Sequence, residues 1–180
     1  MNIQTEFITY SVDGKDFKGY LAWDDSFNQA RPGVLVFPEW WGLNSNIKKR
    51  TEQIAELGYL ALGVDMYGEG KIVETPEEAG LLMNAVLENK EAIKARVEGP
   101  YNVLKEHSLS DSDRLGAIGY CFGGALVLNM ARMGMGLRAV VSFHGALDTF
   151  FNPSPGDIKA KVLVCHGDAD EFISKEAIDQ

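Results

Sequence analysis

Apolar and polar positions divide the chain into two kinds of element. Residues 7–12 and 17–23 are short segments separated by the turn residues Asp13 and Gly14, a pattern that predicts an opening antiparallel hairpin. After residue 23 the rhythm changes. Residues 33–37, 59–64, 115–119, 139–143 and 162–165 are short apolar runs, the signature of strands covered on both faces. Between them, residues 44–57 carry Ile47, Ile54 and Leu57 on one helical face and end at Gly58, a residue suited to a left-handed cap. Thr75, Pro76 and Glu78 supply an N-cap, a first-turn proline and a capping-box acid to the next helix. Gly99-Pro100 falls inside the stretch 91–107, and because proline has no amide hydrogen to donate, a kink or a break into two helices is expected there. Alternating strands and helices imply right-handed crossovers, hence one α/β domain with a mostly parallel sheet, helices on both faces and an N-terminal antiparallel hairpin.

Composition narrows the classes of function. With 180 residues, 46% of them hydrophobic, the chain can bury one core. A net charge of −9 without a basic cluster argues against nucleic acid and anionic membrane surfaces as partners. No apolar run approaches the roughly 20 residues needed to span a bilayer, and the polar, alternating residues 1–11 are unlike a signal peptide, so a cytoplasmic location is expected. Cys121 and Cys165 are the only cysteines; they make no disulfide framework, and a cysteine in a catalytic setting is a candidate nucleophile.

Ligands of open α/β sheets bind beyond the carboxyl ends of the strands. The residues in that position are Pro38, Glu39, Trp40 and Trp41 after the first buried strand, then Asp65, Cys121, His144, His166 and Asp170. Gly119-Tyr120-Cys121-Phe122-Gly123-Gly124 follows an apolar strand and opens the helix 124–133, the context of a nucleophile elbow. A sulfur at a helix N-terminus is expected to favour the thiolate. The amide of Phe122 would be one oxyanion donor and that of Trp40 the other. Of the two adjacent tryptophans, one is expected in an acyl pocket and one in the core, with Trp41 and His144 as pocket residues. Met130, Met133 and Met135 are expected to fill gaps behind the elbow, and His107 to face solvent.

Four strings occur in order: Pro38-Glu39-Trp40-Trp41-Gly42-Leu43-Asn44, Asp65-Met66-Tyr67-Gly68, Gly119-Tyr120-Cys121-Phe122-Gly123-Gly124 and Cys165-His166-Gly167-Asp168-Ala169-Asp170. Together they resemble the dienelactone hydrolase family of the α/β-hydrolase superfamily. The resemblance implies a carboxylic ester hydrolase of the carboxymethylenebutenolidase type, acting on a small ester or lactone through a cysteine thioester. It implies Cys121 as nucleophile, Asp170 as the acid that orients a histidine, and Glu39 as the carboxylate that helps remove the thiol proton. Asp168 is left to stabilise its turn. No cofactor or metal is implied, since Cys121, His144, His166 and the acids follow no metal-ligand spacing.

Two departures from the family pattern shape the expectations. The family places its histidine one helix and one strand beyond the acid; only ten residues follow Asp170, against the roughly 25 to 35 that such a segment needs. The expected imidazole therefore lies past Gln180, residues 174–180 begin the next helix, and the domain lacks its C-terminal helix, strand and histidine loop. His144 and His166 are read as a pocket-wall residue and a structural residue. Relatives that act on anionic lactones use an arginine clamp, whereas the region after Asp65 offers Lys71 and no arginine before Arg96, so a neutral ester, lactone or thioester is expected. Two other functions remain open, an inactive hydrolase fold that binds a small acyl ligand and a redox-sensing thiol. Oligomeric state, acyl group and leaving group are undetermined by sequence.

Overall fold

The hairpin at the N-terminus is longer than its apolar pattern suggests. In the computed structural model, which describes residues 1–179, β1 (Ile3–Val12) and β2 (Lys15–Asp24) pair antiparallel along their whole lengths around Asp13 and Gly14. There follow β3 (Arg31–Phe37), α1 (Ser45–Glu56), β4 (Leu60–Gly63), α2 (Pro76–Leu87), α3 (Lys90–Glu106), β5 (Ser110–Tyr120), α4 (Phe122–Arg132), β6 (Ala139–Phe143), β7 (Lys161–Cys165) and α5 (Lys175–Asp179). The seven strands form one sheet in the order β1-β2-β4-β3-β5-β6-β7. β2 meets β4 antiparallel, and β4, β3, β5, β6 and β7 run parallel. Gln180, the last residue of the helix expected over 174–180, lies outside the described residues.

Burial on both faces fixes this arrangement. Leu35 and Phe37 of β3 join Leu62, Ile93, Leu104, Phe122 and Leu126 in the main core, while Val36 between them turns to the opposite face with Leu43 and Ile47. That alternation within one parallel strand places α1 on one face and α3 and α4 on the other, as expected from the unbroken apolar runs.

Five expectations are corrected. First, α3 runs unbroken through Pro100. The missing hydrogen bond costs about 3 kcal/mol. Ile93, Val97 and Leu104 are fully buried on either side of Pro100 and contribute about 1.5 to 3 kcal/mol each, so packing carries the helix across the gap. Second, Leu57 is the exposed C-cap of α1; Ile47 and Ile54 do face the sheet as expected, together with Thr51 and Ala55, whose small side chains let the helix sit close to it. Third, β5 begins five residues earlier than expected, at Ser110, because the polar stretch before Leu115 pairs through its backbone with Arg31 and Pro32. Fourth, β7, the last of the described strands, is not covered on both faces by the described residues, and Val162, Leu163 and Val164 are 46%, 56% and 42% exposed. Fifth, His107 is half-buried, its Nδ1 accepting the Leu109 amide hydrogen at 3.2 Å. Among the described residues no helix is long and apolar enough to cross a membrane.

Candidate active site

The turn from β5 into α4 holds Cys121 at φ 52° and ψ −112°, a backbone conformation that a residue with a side chain seldom adopts. Two hydrogen bonds brace it, from the Cys121 amide to the Phe143 carbonyl and from the Gly123 amide to the Pro38 carbonyl, both 2.9 Å. Crowding explains the small residues around it. A Cβ on Gly119 would run into the Gly123 carbonyl, and one on Gly123 would lie 2.6 Å from the carbonyl oxygens of Phe37 and Pro38. The elbow therefore packs directly against the end of β3, which brings the Glu39–Trp41 loop to the cysteine.

At this sulfur the expected thiolate is not favoured. Burial pushes the Cys121 thiol upward from its ordinary value, and Glu39 and Asp170 push it further, while the Phe122 amide hydrogen pulls the other way. The net shift is upward, so the resting group is a thiol. One amide at a helix end is outweighed by burial beside two carboxylates.

Those carboxylates are held in different ways. Glu39 Oε1 accepts from Asn46 Nδ2 at 3.1 Å, whereas Oε2 is buried without a hydrogen-bond partner among the described residues. Asp170 follows β7 in a turn closed by its own amide bonding the Gly167 carbonyl at 3.0 Å. Its Oδ1 accepts from the Phe172 amide at 3.0 Å, its Oδ2 meets His144 Nδ1 in a short contact, and His166 Nδ1 lies 3.8 Å away. Burial pushes the Asp170 carboxyl upward, but the Phe172 amide and the two imidazoles prevail and leave it below its ordinary value. Asp168 is exposed and Asp170 takes the contacts.

His144 sits at φ 57°, its amide bonding the Cys165 carbonyl at 2.9 Å and its ring meeting Phe172 edge-on at 6.2 Å. Both ring nitrogens of His166 are buried without a hydrogen-bond partner among the described residues. Trp40 packs against the main core and touches Trp41 edge-on at 5.1 Å, while Trp41 lines an open cavity of about 630 Å³ with Lys48, Ile72 and Val73. Met130 is fully buried behind the elbow, with Met133 and Met135 against the same core. Arg96 Nη1 donates to the Met66 carbonyl at 2.8 Å, and Lys71 is exposed.

Sequence reasoning assigned no role to Asn46 or Tyr67, and did not anticipate the pairing of His144 with Asp170. Tyr67 donates its hydroxyl hydrogen to the Trp40 carbonyl at 2.7 Å and stacks on Phe122 at 6.5 Å. Only Tyr67 left a trace in the sequence, as part of the string following Asp65. No group of three or more His, Cys, Asp and Glu side chains among the described residues is placed to hold a metal ion.

Comparisons with known proteins agree with this geometry. The sequence profile of the dienelactone hydrolase family matches residues 17–180. Protein usf of Aquifex pyrophilus is 30% identical over 178 residues, which cover 96% of this chain and 75% of that protein. A putative carboxymethylenebutenolidase of Aquifex aeolicus is 28% identical, with the same coverage of both chains. Among solved structures, m3DLH superposes with a TM-score of 0.92 at 37% identity, covering 99% of this chain and 75% of its own. A dienelactone hydrolase-like promiscuous phosphotriesterase from metagenomic libraries superposes at 0.91 with 31% identity, covering 99% of this chain and 74% of its own. On its strand order, its elbow and these matches, the chain belongs to the dienelactone hydrolase family, with an α/β-hydrolase fold.

Proposed function

We propose that the chain hydrolyses neutral carboxylic esters or lactones through a thioester on Cys121. Substrate binding excludes water from the site. The thiol proton then passes to the unpartnered Oε2 of Glu39, which gains the hydrogen bond it lacks at rest. The sulfur bonds to the acyl carbon, negative charge gathers on the former carbonyl oxygen, and the amides of Phe122 and Trp40 hold it. The C–O bond to the leaving group breaks and the departing oxygen takes the proton back from Glu39, which leaves the carboxylate ionised again. Water then attacks the thioester with help from an imidazole oriented by Asp170, releasing the acid and returning the thiol.

The observation that carries this reading is the strained elbow with the Phe122 amide directed at the sulfur and two carboxylates close enough to shift its acidity. Glu39 and Asp170 would repel an anionic substrate, and Arg96 is committed to the Met66 carbonyl, which favours neutral substrates over carboxylated ones. In the test, p-nitrophenyl acetate should give a burst of p-nitrophenol stoichiometric with protein, and Cys121→Ala should abolish it. A wild type without a burst would leave acyl binding without turnover as the function. His144 is assigned to the pocket wall, where it holds Asp170. His144→Ala should therefore slow steady turnover yet keep the burst, because Glu39 takes the thiol proton; loss of the burst would transfer the base role to His144.

A further inference from the structure

Tyr67 lies on the loop between β4 and α2, and it touches two other loops at once. Its hydroxyl holds the Trp40 carbonyl on the loop after β3, and its ring lies parallel to Phe122, 9° between planes, on the turn after β5. These are the two residues whose amides carry the oxyanion in the mechanism proposed above. Neither is a neighbour of the other in sequence; the Gly123 amide bond to the Pro38 carbonyl joins the two segments directly, and Tyr67 adds a second link that reaches Trp40 and Phe122 themselves. We infer that Tyr67 is a positioning residue that sets the spacing of the Trp40 and Phe122 amides; this inference rests on the proposed acyl-transfer function.

The loop that carries Tyr67 is itself fixed. The buried carboxylate of Asp65 accepts hydrogen bonds from the amides of Lys18, Tyr67, Gly68 and Gly70, at 2.8 to 3.0 Å. Arg96 holds the intervening Met66 carbonyl, and the Glu69 amide reaches the Asp16 carbonyl at 2.8 Å. A carboxylate with four amide donors has little freedom to move, so the tyrosine leaves a rigid base and not a floppy loop. Burial raises the Tyr67 hydroxyl well above its ordinary value, against the opposing pull of Arg96, so it stays protonated and donates across the neutral and alkaline range. The strain at Cys121 places the sulfur, and Tyr67 places the hydrogens that meet the charge the sulfur creates.

The test compares two reactions of the same sulfur. Acylation by p-nitrophenyl acetate builds an oxyanion, whereas alkylation by iodoacetamide displaces iodide at a saturated carbon and builds none. Tyr67→Phe keeps the ring and the stack and removes only the hydroxyl. Complete loss of one oxyanion donor costs about 100- to 1,000-fold in rate, and loosening one should cost less, about 10- to 100-fold. The acylation rate of Tyr67→Phe should fall by that factor, while alkylation at Cys121, followed by mass spectrometry, stays within about twofold of wild type. Phe122→Leu, which removes the stack and keeps the amide, should show the same divergence to a smaller degree. Equal loss in both reactions would show that Tyr67 supports the elbow in general, and unchanged acylation would show that it supports nothing needed for catalysis; either result overturns the inference. Failure of the underlying function is separable, since a wild type that takes no acetyl group at Cys121 reveals it before any Tyr67 variant is made, and would overturn both.

Discussion

Cys121 and Glu39 oppose each other at rest and cooperate in the proposed reaction. After burial, the Glu39 charge is one of the influences that push the thiol upward from its ordinary value and make it less acidic, yet the same carboxylate is the proposed acceptor of the thiol proton. Glu39→Gln should therefore move two rates in opposite directions. Removing the charge lowers the Cys121 value, so more thiolate is present at neutral pH and iodoacetamide alkylation speeds up; removing the base slows acylation by p-nitrophenyl acetate, by about 100-fold or more. Measuring both on one preparation checks this, and parallel changes would end the base role. Much of this site was legible residue by residue, because a glycine-flanked cysteine between an apolar strand and a helix is a local pattern. Asn46, which orients Glu39, was not, since an asparagine in a first helical turn has no signature until the fold brings it to a carboxylate. The thiolate expectation failed for the same reason: helix position is local, whereas the flanking carboxylates come from distant segments.

The closure of the N-terminal hairpin is a property of elements. Asp24, at the end of β2, accepts hydrogen bonds from the Asn2 amide at 2.9 Å, the Ser26 hydroxyl at 2.7 Å and the Ser26 amide at 3.0 Å, joining the start of β1 to the exit of β2. The Asn2 amide first, then the Ser26 donors, hold its carboxyl down at about 2, from an ordinary value of 3.8. The folded value is the lower one, so the contribution to stability is complete above the unfolded value and is lost as pH falls through the window from 3.8 to about 2. Asp24→Asn should flatten the pH dependence of the urea midpoint over that window; an unchanged slope would show that other acids govern it. Strand and helix identities were largely readable here because apolar runs and caps are local signals. Their extents were not: β5 gains its first residues by backbone pairing with Arg31 and Pro32, which no side-chain pattern records, and α3 survives Pro100 through tertiary packing.

At the scale of the molecule, β7 shows what an apolar run leaves undecided, because the same valine-rich string suits a central strand and an edge strand alike. Here Val162 and Val164 on one face and Leu163 on the other are exposed, and β7 is the last of the described strands. At the opposite edge, the opening ribbon holds the loop that follows β4. The family match begins at residue 17, leaving β1 outside it, yet Asp16 and Lys18 of β2 grip the loop that delivers Tyr67. Cutting the chain back beyond Lys18 would remove both contacts and slacken the loop that carries Tyr67.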